Sequence, residues 1–272
     1  MNLWLHLIIY SIYQLYLQVL RMIKKITLFI VLSVFAFSTC KSSKTSDKLT
    51  IATAASTQFA LKKLAANFSK KHNIPVDVIL GSSGKLTTQI INGAPYDLFF
   101  SSDMYYPRIL FRKEKTENRP TTYAFGAPVI WTMKNDIVID SLFKLKDPKI
   151  KHLAIANPKN APYGRKAVSY LKQKKGYEDI KHKLVYGESI SQVNEYILNK
   201  TVEVGITAKS IAFSPKLKGK GYFKELDRKY WVKQGAVIIK NNNLPEMKKK
   251  FLDYVLSEEG IQILVAHGYS IK

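Results

Sequence analysis

Four short stretches of small, hydroxyl-bearing or turn-forming residues hold the chemistry that this sequence offers. They are Ala54-Ala55-Ser56-Thr57, Gly81-Ser82-Ser83-Gly84-Lys85-Leu86, Asn160-Ala161-Pro162-Tyr163-Gly164 and Gly187-Glu188-Ser189-Ile190-Ser191. Each follows an apolar, β-rich run and precedes a segment with apolar residues at helical spacing. The first turn of a helix has backbone N–H groups without intrahelical partners and carries the positive end of the helix dipole. Glycine lets a ligand come close to that backbone, and a serine adds a hydroxyl beside it. Taken singly, such a turn is an ordinary capped loop. Four converging on one cleft would surround an anion with neutral N–H and O–H donors. Neutral donors suit a receptor that must release its anion as well as hold it.

Other chemistry is weakly represented. His72, His152, His182 and His267 lack the spacing of metal ligands, and Asp97 and Asp103 read as cap or turn residues rather than an acid pair. No Ser-His-Asp or Cys-His arrangement can be assembled, so neither an enzyme, a bound metal cation nor a cofactor is expected. Lys85 and Arg165 flank the turns and read as long-range attraction for anions rather than as direct ligands.

Positioning these turns is the task of an alternating series. Residues 49–54 and 76–80 have strand character, and Leu61, Leu64, Ala65 and Phe68 repeat at helical spacing between them. Ser83 stands where a helix N-cap belongs; Leu86, Ile90 and Ile91 give that helix an apolar side, and Gly93 stops it. A short buried strand at 97–100 follows, then Asp103 as N-cap of a helix bearing Tyr106, Ile109 and Leu110. The β-rich stretch 121–133 is long enough to leave one domain and enter another. Beyond it come strands at 152–156, 183–186 and 202–206, with a helix at 164–174 and one through Val193, Tyr196 and Ile197. Residues 213–230 show no period and read as a loop. A strand at 235–239 carries the chain back to two C-terminal helices, one with Met247, Phe251 and Val255, the other with Ile261, Leu264 and Val265.

Such alternation implies an α/β fold of two lobes, each a mainly parallel sheet flanked by helices. Residues 49–124 with 234–272 would form the first lobe and 125–233 the second. In parallel sheets ligands bind beyond the C-terminal strand ends, where all four turns lie.

At 272 residues the chain is long enough for one large or two ordinary domains. Its net charge is +23 with a pI near 9.8. The lysines are dispersed, including Lys248, Lys249 and Lys250 on an expected outer helix face, and no nucleic-acid motif accompanies them. A nucleic-acid partner is therefore not expected. Residues 1–40 hold apolar runs at 3–20 and 26–37, the second preceded by Met22-Ile23-Lys24-Lys25 and followed by Phe37-Ser38-Thr39-Cys40. That is the build of a secretory signal peptide ending in a lipobox-like sequence, with Cys40 as the lipidated residue and 41–48 as linker. On this reading Met22 is the start and residues 1–21 are an upstream extension; the alternative is a transmembrane hairpin. Cys40 is the single cysteine, so no intramolecular disulfide can form.

The motif set resembles the extracytoplasmic molybdate-binding proteins of ABC transporters from about residue 49 to residue 272. It comprises Thr53-Ala54-Ala55-Ser56, the Gly81–Leu86 turn and Gln89-Ile90-Ile91-Asn92-Gly93-Ala94-Pro95-Tyr96-Asp97-Leu98-Phe99. Pro158, Pro162-Tyr163-Gly164, Lys183-Leu184-Val185, Val204-Gly205-Ile206 and His267-Gly268-Tyr269 complete it. The resemblance implies a two-lobed type II periplasmic-binding-protein fold with the ligand in the inter-lobe cleft. It implies that Ser56 and Ser83 each give a hydroxyl and a backbone N–H to the oxyanion, and that Tyr163 and Ile190 give backbone N–H groups. It also implies capture of molybdate or tungstate and delivery to a membrane permease. Tyr163 stands where many relatives have alanine and Ala208 where many have a tyrosine; the Tyr163 hydroxyl is the expected replacement. The competing readings are a receptor for sulfate or phosphate and an effector-sensing domain on the same fold. A phosphate receptor would need an acceptor carboxylate in the site, and a sensor would need a DNA-binding segment where the N-terminus is apolar instead.

Overall fold

Short apolar runs become strands when helices cover both faces of the sheet they join. The computed structural model describes residues 20–23, 48–173, 177–214, 217 and 219–271, and its strands form two sheets flanked by helices. Residues 20–23 are helical; the remainder of the N-terminal apolar runs, Cys40 and the linker as far as residue 47 lie outside the described residues. Among the described residues no helix is long and apolar enough to cross a membrane.

The first series is β1 (Leu49–Ala54), α1 (Gln58–His72), β2 (Val76–Gly81), α2 (Ser83–Ile91), β3 (Leu98–Ser101), α3 (Tyr105–Arg112) and β4 (Thr121–Gly126). Ala127 alone separates β4 from β5 (Pro128–Thr132), which opens the second. That series continues with β6 (Leu153–Ala156), α4 (Pro162–Gln173), α5 (Tyr177–Ile180), β7 (Leu184–Gly187) and α6 (Ile190–Leu198). It ends with β8 (Val204–Ala208), α7 (Lys209–Ala212) and β9 (Tyr222–Glu225). The chain returns through β10 (Val232–Ile238) and finishes with α8 (Pro245–Leu256), α9 (Glu258–Ala266) and β11 (Tyr269–Ser270).

The first sheet has the order β11-β4-β10-β3-β1-β2 and the second β7-β6-β8-β5-β9. In the first, β1 lies parallel between β2 and β3; in the second, β6 lies parallel between β7 and β8. The crossing strands β10 and β5 are antiparallel to both their neighbours. Each sheet thus joins a parallel trio to a strand that arrives from the other sheet, β10 in the first and β5 in the second.

Burial on both faces explains the unbroken apolar strands. In β3, Leu98 and Phe100 face a core with Leu61, Leu64 and Phe68 of α1 and Phe251 of α8, while Phe99 faces Leu86, Ile90 and Leu110. Phe68 and Phe100 both meet Phe251 edge-on, with centroids 5.0 and 5.9 Å away. In the second sheet Ile130, Ile155 and Ile206 pack with Ala167 and Leu171, and Trp131 and Ala154 with Val193 and Ile197 on the other face.

Several local expectations shift. Helix α2 begins at Ser83 with Ser82 as its N-cap, and α4 begins at Pro162, whose missing N–H costs nothing in a first turn. The strand expected at 202–206 lies at Val204–Ala208. The stretch 213–230 is not all loop: Tyr222–Glu225 pairs antiparallel with β5, and Arg228–Tyr230 form one 3-10 turn. Four residues at a sheet edge are too few to show a period. Lys248 is fully buried instead of facing solvent, paired with Glu117 at 2.5 Å and donating to the carbonyls of Ile239 and Asn241.

Candidate functional site

Parallel pairing sets the C-terminal ends of β1, β2 and β3 side by side, and those of β6 and β7 likewise. Residues from all five ends line one cavity of about 10 Å3. Residues 54–56, 81–83 and Ser102 come from the first sheet; residues 161–163 and Ile190 come from the second. The four residues singled out from sequence, Ser56, Ser83, Tyr163 and Ile190, therefore share one cavity. No charged side chain is part of the lining.

Ser56 sits in a single 3-10 turn after β1, 2% exposed, and its hydroxyl has no hydrogen-bond partner. Its carbonyl, which would repel an anion, accepts from Ser210 Oγ at 2.7 Å and Tyr269 Oη at 2.9 Å, two residues outside the lining. Ser83 is fully buried at the first position of α2. Its Oγ accepts from the Ser102 N–H at 3.1 Å and lies 3.1 Å from Ser102 Oγ. Two hydroxyls sharing one mutual bond leave one proton free for a further acceptor. Ser102 was not singled out from sequence; only its neighbour Asp103 was, as a helix N-cap. The available signal was its place: a hydroxyl at the end of a parallel strand, as at the other turns.

Tyr163 is the second residue of α4, where a backbone N–H has no intrahelical acceptor. Its ring is buried, and its hydroxyl accepts from Gln234 Nε2 of β10 at 3.4 Å, so it is partnered where Ser56 is not. A Cβ built on Gly126 would overlap that hydroxyl, so only glycine at the end of β4 admits it. Burial raises the Tyr163 pKa well above its ordinary value and the neighbouring Tyr269 adds to this, against the Gln234 hydrogen bond, so the phenol is neutral at physiological pH. Ile190 opens α6 and is 4% exposed. Ala208, buried at the end of β8, lies outside the lining.

Charged groups stand around the cavity instead. Lys85 pairs with Glu188 at 2.6 Å, joining the turn after β2 to the turn after β7. Arg165 of α4 pairs with Asp103 and donates to Tyr106 Oη at 3.0 Å, while Tyr106 donates to the Lys159 carbonyl at 3.2 Å. Burial alone would lower the Arg165 pKa, but its bonds to Tyr106 and Asp103 outweigh that and raise it. Lys85 and Arg165, expected to attract anions at long range rather than to bind them directly, lie outside the lining, and each is matched by a carboxylate from the opposite sheet's loops. Backbone joins them, with Gly84 N donating to Asn160 O at 2.9 Å; a Cβ on Gly84 would come within 3.0 Å of Asn160 backbone. Asp97 is structural, accepting from Thr50 N at 2.7 Å and from the Asn243 side chain. Among the described residues no group of three His, Cys, Asp or Glu could hold a metal ion.

Two α/β lobes meeting at a small, buried, donor-lined cavity define the class of two-lobed solute-binding proteins. Residues 49–270 match the family described as bacterial extracellular solute-binding protein, and the chain belongs to that family. It is 33% identical over 225 residues to the molybdate-binding protein ModA of Azotobacter vinelandii, covering 82% of this chain and 89% of that protein. ModA of Rhodobacter capsulatus is 33% identical over 209 residues, covering 76% and 82%. The solved structure of the Azotobacter vinelandii periplasmic molybdate-binding protein superposes with a TM-score of 0.79 at 28% identity, over 82% of this chain and 99% of that one.

Proposed function

We propose that this chain is the solute-binding component of an ABC importer, capturing molybdate, and tungstate with it, for delivery to a membrane permease. The observation that carries this reading is the neutral cavity: hydroxyls and helix first turns from both lobes, with no charged side chain in the lining. Ser56 and Ser83 give hydroxyl and N–H, and Tyr163 and Ile190 give N–H, to a tetrahedral oxyanion. A dianion fully deprotonated at neutral pH needs donors only. Protonated phosphate needs an acceptor, and no carboxylate lines the cavity. The sequence likeness to two molybdate-binding proteins supports the same cargo. The two lobes, which divide between β4 and β5 and again before β10, close over it, and opening releases it.

Calorimetric titration tests this directly. Molybdate and tungstate should bind tightly, sulfate and phosphate weakly or not at all. Absence of molybdate binding, or a preference for sulfate, would overturn the assignment. The family places the chain outside the cytoplasm; lipidation of Cys40 as its membrane anchor is part of the proposal. Cys40→Ser should release the protein from membranes or block its processing, whereas wild-type protein recovered soluble with an unmodified thiol would remove the anchor.

A further inference from the structure

Among the described residues, five buried side-chain polar atoms lack a hydrogen-bond partner, and two of them, Ser56 Oγ and Ser82 Oγ, belong to residues that line the cavity. Ser56 is already placed in the proposed site. Ser82 is not, and the sequence places the helix cap at Ser83 instead. Ser82 is the N-cap residue of α2, in the extended conformation that position requires, and is 4% exposed. An N-cap serine ordinarily accepts from the second or third N–H of its helix. Here it makes no such bond. The second N–H, that of Gly84, donates to Asn160 O of the facing lobe at 2.9 Å. The cross-lobe bond thus takes a donor the cap would have used and leaves the hydroxyl of Ser82, a residue of the cavity lining, buried and unpaired. An unpaired buried hydroxyl is costly, and an anion in that cavity would satisfy it.

We propose that the Ser82 hydroxyl is a direct donor to the bound oxyanion, in addition to the contacts from Ser56, Ser83, Tyr163 and Ile190. This rests on the oxyanion reading of the cavity. It makes the closed state self-consistent. Lobe contact through Gly84 uncouples Ser82 from capping, and the freed hydroxyl is then available to the ligand.

The test compares wild type, Ser82→Ala and Ser82→Gly, titrated with sodium molybdate and melted with and without it. A hydrogen bond to a charged acceptor predicts a loss of affinity of roughly 10- to 150-fold in both variants. The ligand-free melting temperature of Ser82→Ala should stay level or rise, because the hydroxyl makes no bond within the protein. Wild-type affinity in both variants overturns the Ser82 assignment and leaves the oxyanion reading standing. Equal destabilisation with and without molybdate overturns it too, by showing a structural hydroxyl. Wild-type protein that binds no molybdate overturns the oxyanion reading, and this assignment falls with it.

Discussion

The floor and the rim of the cleft solve different problems with different groups. The floor has buried serines, small residues and helix first turns, and no charge. The rim, a few residues away, has Lys85 with Glu188 and Arg165 with Asp103. A lysine or arginine on the floor would hold an anion strongly but would itself stand desolvated whenever the site was empty. Hydroxyls and peptide N–H groups carry less of that penalty, act only at short range and lose the anion once the lobes part. The cations are spent instead on closing the lobes, where both partners reach water. Their exposure makes those pairs weak individually and sensitive to salt. On the proposed reading, neutral groups recognise and charged groups latch.

The largest effect should come from the floor. Ser56→Ala and Ser83→Ala should each weaken molybdate binding by roughly 10- to 150-fold, as expected for one hydrogen bond to a charged group. Titrations at low and high salt should give nearly the same loss. Normal binding by both variants would place the ligand elsewhere.

An intermediate effect should come from the half-buried latch. Arg165→Gln removes the pair to Asp103 and the bond to Tyr106 without touching the lining. Loss of about 1–2 kcal/mol, discounted for its exposure, should speed molybdate dissociation roughly 5- to 30-fold in stopped-flow traces and leave association little changed. A loss above 100-fold that salt does not alter would move the guanidinium into the site and erase the distinction.

The smallest effect belongs to Lys85, whose side chain and that of Glu188 are 47% and 70% exposed. Lys85→Ala should cost a few-fold at most at low ionic strength, and nothing measurable in high salt. A dead Lys85 variant beside active serine variants would invert the comparison.

Much of this arrangement was written locally. Apolar periods placed α1 through Leu61, Leu64, Ala65 and Phe68, and short apolar runs between turn residues placed β1, β2 and β3. A helix or strand buries a face that its own few residues define, so sequence neighbours suffice to announce it. The four turns were legible for the same reason, and topology then brought all four to one cavity. Tertiary structure alone decided the partners. Lys85 meets Glu188 across 103 positions, and Arg165 meets Asp103 across 62. Among Lys248, Lys249 and Lys250, only the fold determines that Lys248 is fully buried, on Glu117 and two carbonyls. Ser82 and Ser102 differ from ordinary cap and turn serines through distant segments: Asn160 of the opposite lobe takes the Gly84 N–H that Ser82 would have capped, and Ser83 of the neighbouring strand end bonds Ser102. Pairings between distant segments leave no period in the chain, because their energy arises only once the sheets have brought those segments together.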